Sequence, residues 1–198
     1  MNYSQLMEIL LSEKPSEKLR ERKEEVFKLI PELRICDGFD QETIWHPYDV
    51  YEHTLRVVDG IDNEFHLRVA ALFHDIGKPY CKSIDSEGER HYYGHWDKSK
   101  DIFFRYRNRL FLGHKDFDLI CKLIEFHDLS ISPSTIRIFV REFDENNIES
   151  LYKLKEADIK AQNLDFAERR LNNLEKQKKI FAFAMQCVKE GQYSKKGE

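Results

Sequence analysis

Apolar residues recur at three- and four-residue spacing along almost the whole chain, and strict apolar–polar alternation is scarce. That period matches the 3.6-residue turn of an α-helix, so it limits the chain to an all-helical architecture. The spacing predicts nine helices. They are Tyr3–Leu11, Ser16–Ile30, His46–Gly60, Asn63–Ile76, Trp96–Leu112, Lys115–Phe126, Ser134–Phe143, Ile148–Gln162 and a long final helix, Asp165–Lys189. Ser16 reads as an N-cap, and Pro31 stands just past the end of the second helix. Gly60 reads as a stop, as does Gly77 followed by Pro79. Residues 31–41 read as a connector turning at Gly38, and the polar, Gly-containing stretch Cys81–His91 as a loop. The tail Glu190–Glu198 is expected to fray.

The 198 residues suffice for one domain with extensions and for a hydrophobic core without covalent staples. A formal net charge of -4 does not favour wholesale binding to a nucleic-acid backbone. Arg105, Arg107 and Arg109 form a local basic cluster, which is more simply a solvated helix face. The four cysteines are far apart and form no CxxC pair, as expected of reduced thiols in a cytoplasmic protein. No signal peptide is read at the start, and no apolar run approaches the roughly 20 residues that span a bilayer.

The stretch that bears chemistry is Phe73-His74-Asp75-Ile76-Gly77-Lys78-Pro79. Neighbouring His and Asp side chains on a helix point about 100° apart, so they can share an ion only near a helix end, with further ligands brought by other helices. His53 stands 21 residues before His74 on the preceding helix. His95 follows Gly94 at a helix start, His127 and Asp128 end another helix, and Asp158 lies among small and apolar neighbours on a late one. One such residue alone is unremarkable; the ordered series is much less easily random. Imidazole and carboxylate together suit divalent Mn, Fe, Co, Ni or Zn. Asp158 and Asp128 are both open as the last carboxylate.

These residues resemble the signature of the HD-domain superfamily of all-helical, metal-dependent phosphohydrolases. Glu52-His53-Thr54-Leu55, His74 through Pro79 and Gly94-His95 carry the likeness, which runs from about Glu25 to Gln162. It is greatest to the HD domain attached to bacterial CCA-adding tRNA nucleotidyltransferases, through Leu29–Leu33 and Asp49–His53. No Gly-Ser motif with paired carboxylates occurs in the first forty residues, so the chain reads as a stand-alone member and CCA addition is not expected of it. The resemblance implies an HD-domain bundle of eight or nine helices over 41–165, an N-terminal extension (1–40) and a C-terminal helix with its tail (166–198). It also implies a site for one or two divalent ions (Mn, Zn, Fe, Co, Ni or Mg), held by His53, His74, Asp75, His95, His127 and Asp158, with Asp75 bridging.

The expected reaction is cleavage of a phosphate ester, on a nucleotide or related small molecule, by metal-activated hydroxide. Asp75 and Lys78 are the expected catalytic groups. Lys78 can meet a phosphate as a point charge, or serve only as a solvated cation at a helix end. Arg137 and Arg141 are candidates to reach an anionic substrate. His46 and Asp49 can line the pocket or orient a ligand, although His46 more simply begins a helix. Trp45, Tyr92, Tyr93 and Trp96 offer faces for a base, beside the commoner role of core or rim. His66, His91 and His114 are not expected to be ligands. The alternatives are a di-iron HD-type oxygenase and a non-catalytic RNA-end or nucleotide binding module.

Overall fold

A computed structural model of the protein describes residues 1–191. Among them are eleven α-helices: α1 (Tyr3–Leu10), α2 (Pro15–Glu21), α3 (Lys23–Leu29), α4 (Pro31–Cys36), α5 (Val50–Asp59), α6 (Phe65–Phe73), α7 (His95–Phe104), α8 (His114–Phe126), α9 (Ile136–Glu142), α10 (Glu145–Lys160) and α11 (Leu164–Lys189). A 3-10 turn, Lys78–Tyr80, and a short antiparallel hairpin, β1 (Ser83–Ile84) with β2 (Arg90–His91), lie between α6 and α7.

Helix α6 is the hub. Its sequence, Phe-His-Leu-Arg-Val-Ala-Ala-Leu-Phe, is apolar almost all round, and such a helix must be surrounded. It packs against α1, α5, α7, α8 and α10. Its buried Arg68 donates to the carbonyls of Ile61 (3.0 Å), Leu10 (2.6 Å) and Ser12 (2.6 Å), so the charge closes helix and loop ends that would otherwise lack donors. An aromatic column continues the core from Phe73 to Phe103 (5.2 Å between ring centres) and on to Phe117 (5.0 Å, stacked).

The all-helical expectation holds, with two more helices than the periodicity predicts. The expected 16–30 helix breaks at Arg22 into α2 and α3. Pro31, read as a terminator, instead opens α4 at its first position, where a missing N–H costs nothing. Ser16 is not an N-cap: its backbone N–H donates to Asp59 Oδ1 (3.0 Å) and its hydroxyl to Asp59 Oδ2. Helix α5 starts four residues later than expected, because the Asp49 carboxylate accepts from the Glu52 N–H at 2.7 Å and forms the N-cap. Asp49 is therefore a cap, and His46 lies in the loop ahead of it. Helix α7 stops at Phe104; turns follow, and the basic cluster is engaged locally, Arg105 with Glu32, Arg107 with His114 and Arg109 with the Tyr3 hydroxyl. The expected loop 81–91 contains the hairpin, whose two-residue strands are too short to leave a periodic signal. The expectation of a frayed tail falls, beyond residue 191, outside the described residues.

Candidate metal centre

Five helices deliver the six expected ligands to one point. His53 comes from the middle of α5, His74 from the C-cap of α6 with Asp75 just beyond, His95 from the first residue of α7, His127 from the C-cap of α8 and Asp158 from α10. All six are buried. His74 and His127 both stand where helix carbonyls point outward, and the partial negative charge of a helix end favours a cation there.

The tautomers follow from the backbone. Nδ1 faces a carbonyl in each imidazole: Ala161 for His53 (3.4 Å), Ala71 for His74 (2.7 Å), Tyr92 for His95 (2.9 Å) and Ile124 for His127 (2.7 Å). A carbonyl only accepts, so Nδ1 carries the proton and Nε2 is left to face the centre. Asp75 lies between two pairs of these nitrogens. Its Oδ2 is 3.4 Å from His53 Nε2 and 3.2 Å from His74 Nε2, and its Oδ1 is 3.3 Å from His95 Nε2 and 3.5 Å from His127 Nε2. Asp158 Oδ1 closes the first pair, 3.0 Å from His53 Nε2 and 4.0 Å from His74 Nε2.

His53 Nε2, His74 Nε2 and Asp75 Oδ1 are buried without a hydrogen-bond partner. Such atoms cost about 1–3 kcal/mol each when nothing compensates them. Two groups, His53/His74/Asp158 and His74/Asp75/His127, have donor atoms within 4.8 Å of one another. Imidazole nitrogen and carboxylate oxygen at these spacings fit a divalent metal.

The charges agree. Burial alone would raise the Asp75 carboxyl, but His74 and Lys78 facing it, with the His127 ring beside them, hold it well below the usual range. Asp158, also opposed by burial, is held low by the His53 ring beside it and then by His74. Burial lowers the His127 imidazole against the pull of Asp75. His74 is raised, because Asp75 outweighs its burial.

Around the cluster lie residues that hold it in place. Gly77 is required by a close approach: a Cβ there would stand 2.4 Å from the His95 carbonyl oxygen and 2.7 Å from the Ser99 nitrogen. Its own N–H donates to Ser99 Oγ at 2.9 Å, docking the start of α7 beside Asp75. Lys155 is buried and donates to the carbonyls of His127 (2.6 Å) and Leu129 (2.8 Å). Burial pulls its amine down to about 8. Gln162 donates to Asp158 Oδ1 at 3.0 Å. Lys155, Asp158 and Gln162 are spaced three and four apart, a same-face signal that sequence reasoning can use for such supports.

Lys78 is not a solvated helix cap. It is 6% exposed, with Nζ 2.7 Å from Asp75 Oδ2 and 2.8 Å from Gln41 Oε1. The centre forms the floor of a cleft of 1150 Å3 that Asp75, Lys78, His95, His127 and Asp158 help line, with His53 and His74 behind them. Asp128 lies on the cleft wall, outside the cluster. Arg137 and Arg141 are not among the cleft's lining residues, and Arg141 borders a neighbouring cavity. The cations that do line it, and that the sequence reading missed, include Arg90, Arg169 and Arg170. His66, His91 and His114 face Ser150, Asp85 and Arg107 instead of the centre.

An all-helical bundle converging on a buried His/Asp cluster defines the class of protein, and the family follows. The chain belongs to the HD domain family, whose model matches residues 43–169. It is also similar to the A-adding tRNA nucleotidyltransferase of Deinococcus radiodurans, 31% identical over 104 residues, which are 50% of this chain and 24% of the relative. To the CC-adding tRNA nucleotidyltransferase of Thermus thermophilus it is 34% identical over 79 residues, 37% of this chain and 18% of the relative. The matches thus span a quarter or less of those relatives' length. Among the described residues, no helix is long and apolar enough to cross a membrane.

Proposed function

We propose that the protein is a divalent-metal-dependent phosphohydrolase that cleaves a phosphate ester of a nucleotide or related small molecule. One observation carries this: four imidazoles, each tied through Nδ1 to a backbone carbonyl, turn Nε2 toward the two oxygens of Asp75. Membership of the HD domain family supports it.

His53, His74, Asp75 and Asp158 would hold one ion, and Asp75, His95 and His127 a second, with Asp75 between them. The imidazole-rich set favours Mn, Fe, Co, Ni or Zn over Mg. A bound divalent ion lowers the pKa of a coordinated water and draws charge from phosphoryl oxygens. The chain's residues do the rest. Asp75 and Asp158 stay anionic and hold the positive charge at the floor. Lys78, which lines the cleft, gives one ammonium N–H to Gln41 Oε1 and one to Asp75 Oδ2, and its third would meet an entering phosphoryl oxygen. Residues 41–165 would form the catalytic unit, with 1–40 as a packed extension and 166–198 as an appended helix and tail.

The test is metal analysis of the purified protein, followed by turnover of nucleotides, cyclic nucleotides and simple phosphate esters. His74→Ala and Asp75→Ala should each abolish metal content and turnover while keeping the helical signal. Activity surviving both substitutions would refute the reading. The likeness to tRNA nucleotidyltransferases favours a second reading, a non-catalytic module for an RNA end. It predicts binding with no metal-dependent turnover. Two irons with oxygen uptake would point to an oxygenase instead.

A further inference from the structure

The cleft extends well beyond the metal centre. At 1150 Å3 it exceeds the volume of about 300–1,000 Å3 that small-molecule sites occupy. One wall is a face of α11, where Phe166, Arg169, Asn173 and Lys176 follow one another at three- and four-residue spacing and Arg170 stands four residues after Phe166 and three before Asn173. Phe166 to Gln177 runs about 16 Å at 1.5 Å per residue. Arg169, Arg170 and Lys176 make no hydrogen bond or ion pair with any described residue. By contrast, Arg90 across the cleft is held by Glu42. Of the acids lining the cleft, Asp75 and Asp158 belong to the floor and Glu42 is paired, which leaves Glu89 and Asp128 opposite three unpaired cations.

Aromatic faces flank the same trough. Trp45, 40% exposed, leans on Phe166 at 4.4 Å between ring centres, beside the arginines. Tyr93, also lining the cleft, is 72% exposed and stacks in parallel on His91 at 4.8 Å. Unpaired cations in a row, with aromatic faces in the same cleft, are the surface that single-stranded nucleic acid binds: phosphates track the cations and bases stack on the rings. The overall charge of -4 does not oppose this, because the cleft concentrates the uncompensated cations at one place.

We infer that the cleft takes the end of a short single-stranded nucleic acid, with the α11 face binding its phosphodiester backbone and the terminal phosphate at the metal centre. The inference rests on the phosphohydrolase reading and names its substrate class. A mononucleotide would fill only the floor and leave the α11 cations without a partner.

The test is a binding measurement that needs no turnover. Fluorescein-labelled hexauridylate is titrated with the as-purified protein by fluorescence anisotropy, with probe integrity checked on a gel and uridine monophosphate as competitor. The expected result is hexamer binding at least about tenfold tighter than monomer binding, with a slope of about −2 in log affinity against log salt for three cation contacts. Arg169→Glu with Arg170→Glu should weaken the hexamer at least about tenfold, and Lys176→Glu alone by a smaller factor. The equal charge change Lys18→Glu with Lys28→Glu, on exposed positions of α2 and α3, should leave affinity within about twofold. Equal binding of monomer and hexamer, or equal loss in both charge reversals, would overturn the inference. Failure of the phosphohydrolase reading is separate: it would appear as absent metal and turnover while hexamer binding persists.

Discussion

His95 and His127 point their Nε2 atoms at each other across 3.3 Å, with each Nδ1 committed to a backbone carbonyl. Two unprotonated ring nitrogens at that separation oppose lone pair to lone pair, and Asp75 Oδ1 beside them adds a third electron donor. A cation among the three removes the repulsion, whereas a hydrogen bond between the rings would need one of them to break its carbonyl contact or take up a second proton. The proposed second ion rests on this pair.

Replacing His127 by Ala should lower the bound metal by about one equivalent per chain, and turnover by at least the roughly 10–100-fold that losing even an indirect support costs. Inductively coupled plasma analysis beside ester turnover reads both. Unchanged stoichiometry would mean that His95 and His127 hold no ion of their own.

Gly77→Ala should act through the backbone. The new Cβ would meet the His95 carbonyl at 2.4 Å, so α7 must retreat. Overpacking of this kind costs about 1–3 kcal/mol, and each kcal/mol lowers the Tm of a chain this size by about 2–4 °C. The second metal equivalent should be lost with it. A variant with wild-type Tm and metal content would contradict the close approach.

Lys155→Met should remove the only side-chain donor to the His127 and Leu129 carbonyls among the described residues. Buried carbonyls left unmet cost about 1–3 kcal/mol, so thermal melting should fall by several degrees. Metal affinity should weaken as the end of α8 loosens. A melting point raised or unchanged would show that burying the amine costs more than its two hydrogen bonds return.

Glu42 ties the hairpin to the cleft rim. Hydrogen bonds from Lys82 first and Arg90 second hold its carboxyl below the ordinary 4.5. Because the folded value is the lower one, the tether is fully present above pH 4.5 and is lost as pH falls through the folded value. Amide exchange over residues 83–91, corrected for its intrinsic pH dependence, should therefore rise on acidification below that point. Glu42→Gln should show the faster exchange already at neutral pH. A hairpin indifferent to both would remove Glu42 from this role.

Local chemistry wrote much of this protein directly into its chain. Apolar spacing determined an all-helical fold, and the order His53, His74-Asp75, His95, His127, Asp158 identified residues that converge in space. Helix ends were less legible wherever one residue has two local meanings: Pro31 can stop a helix or start one, and an Asp49 carboxylate can cap or orient. Only tertiary structure brought Asp158, and not Asp128, into the buried cluster, since that depends on which turn of α10 faces α5. It also turned Lys78 inward onto Asp75 and assigned the cleft's cations to α11 in place of Arg137 and Arg141. The physical reason is range. Periodicity and capping act within a few residues, whereas a metal site and its cleft are made by helices far apart in sequence, whose rotation about their own axes is set by packing.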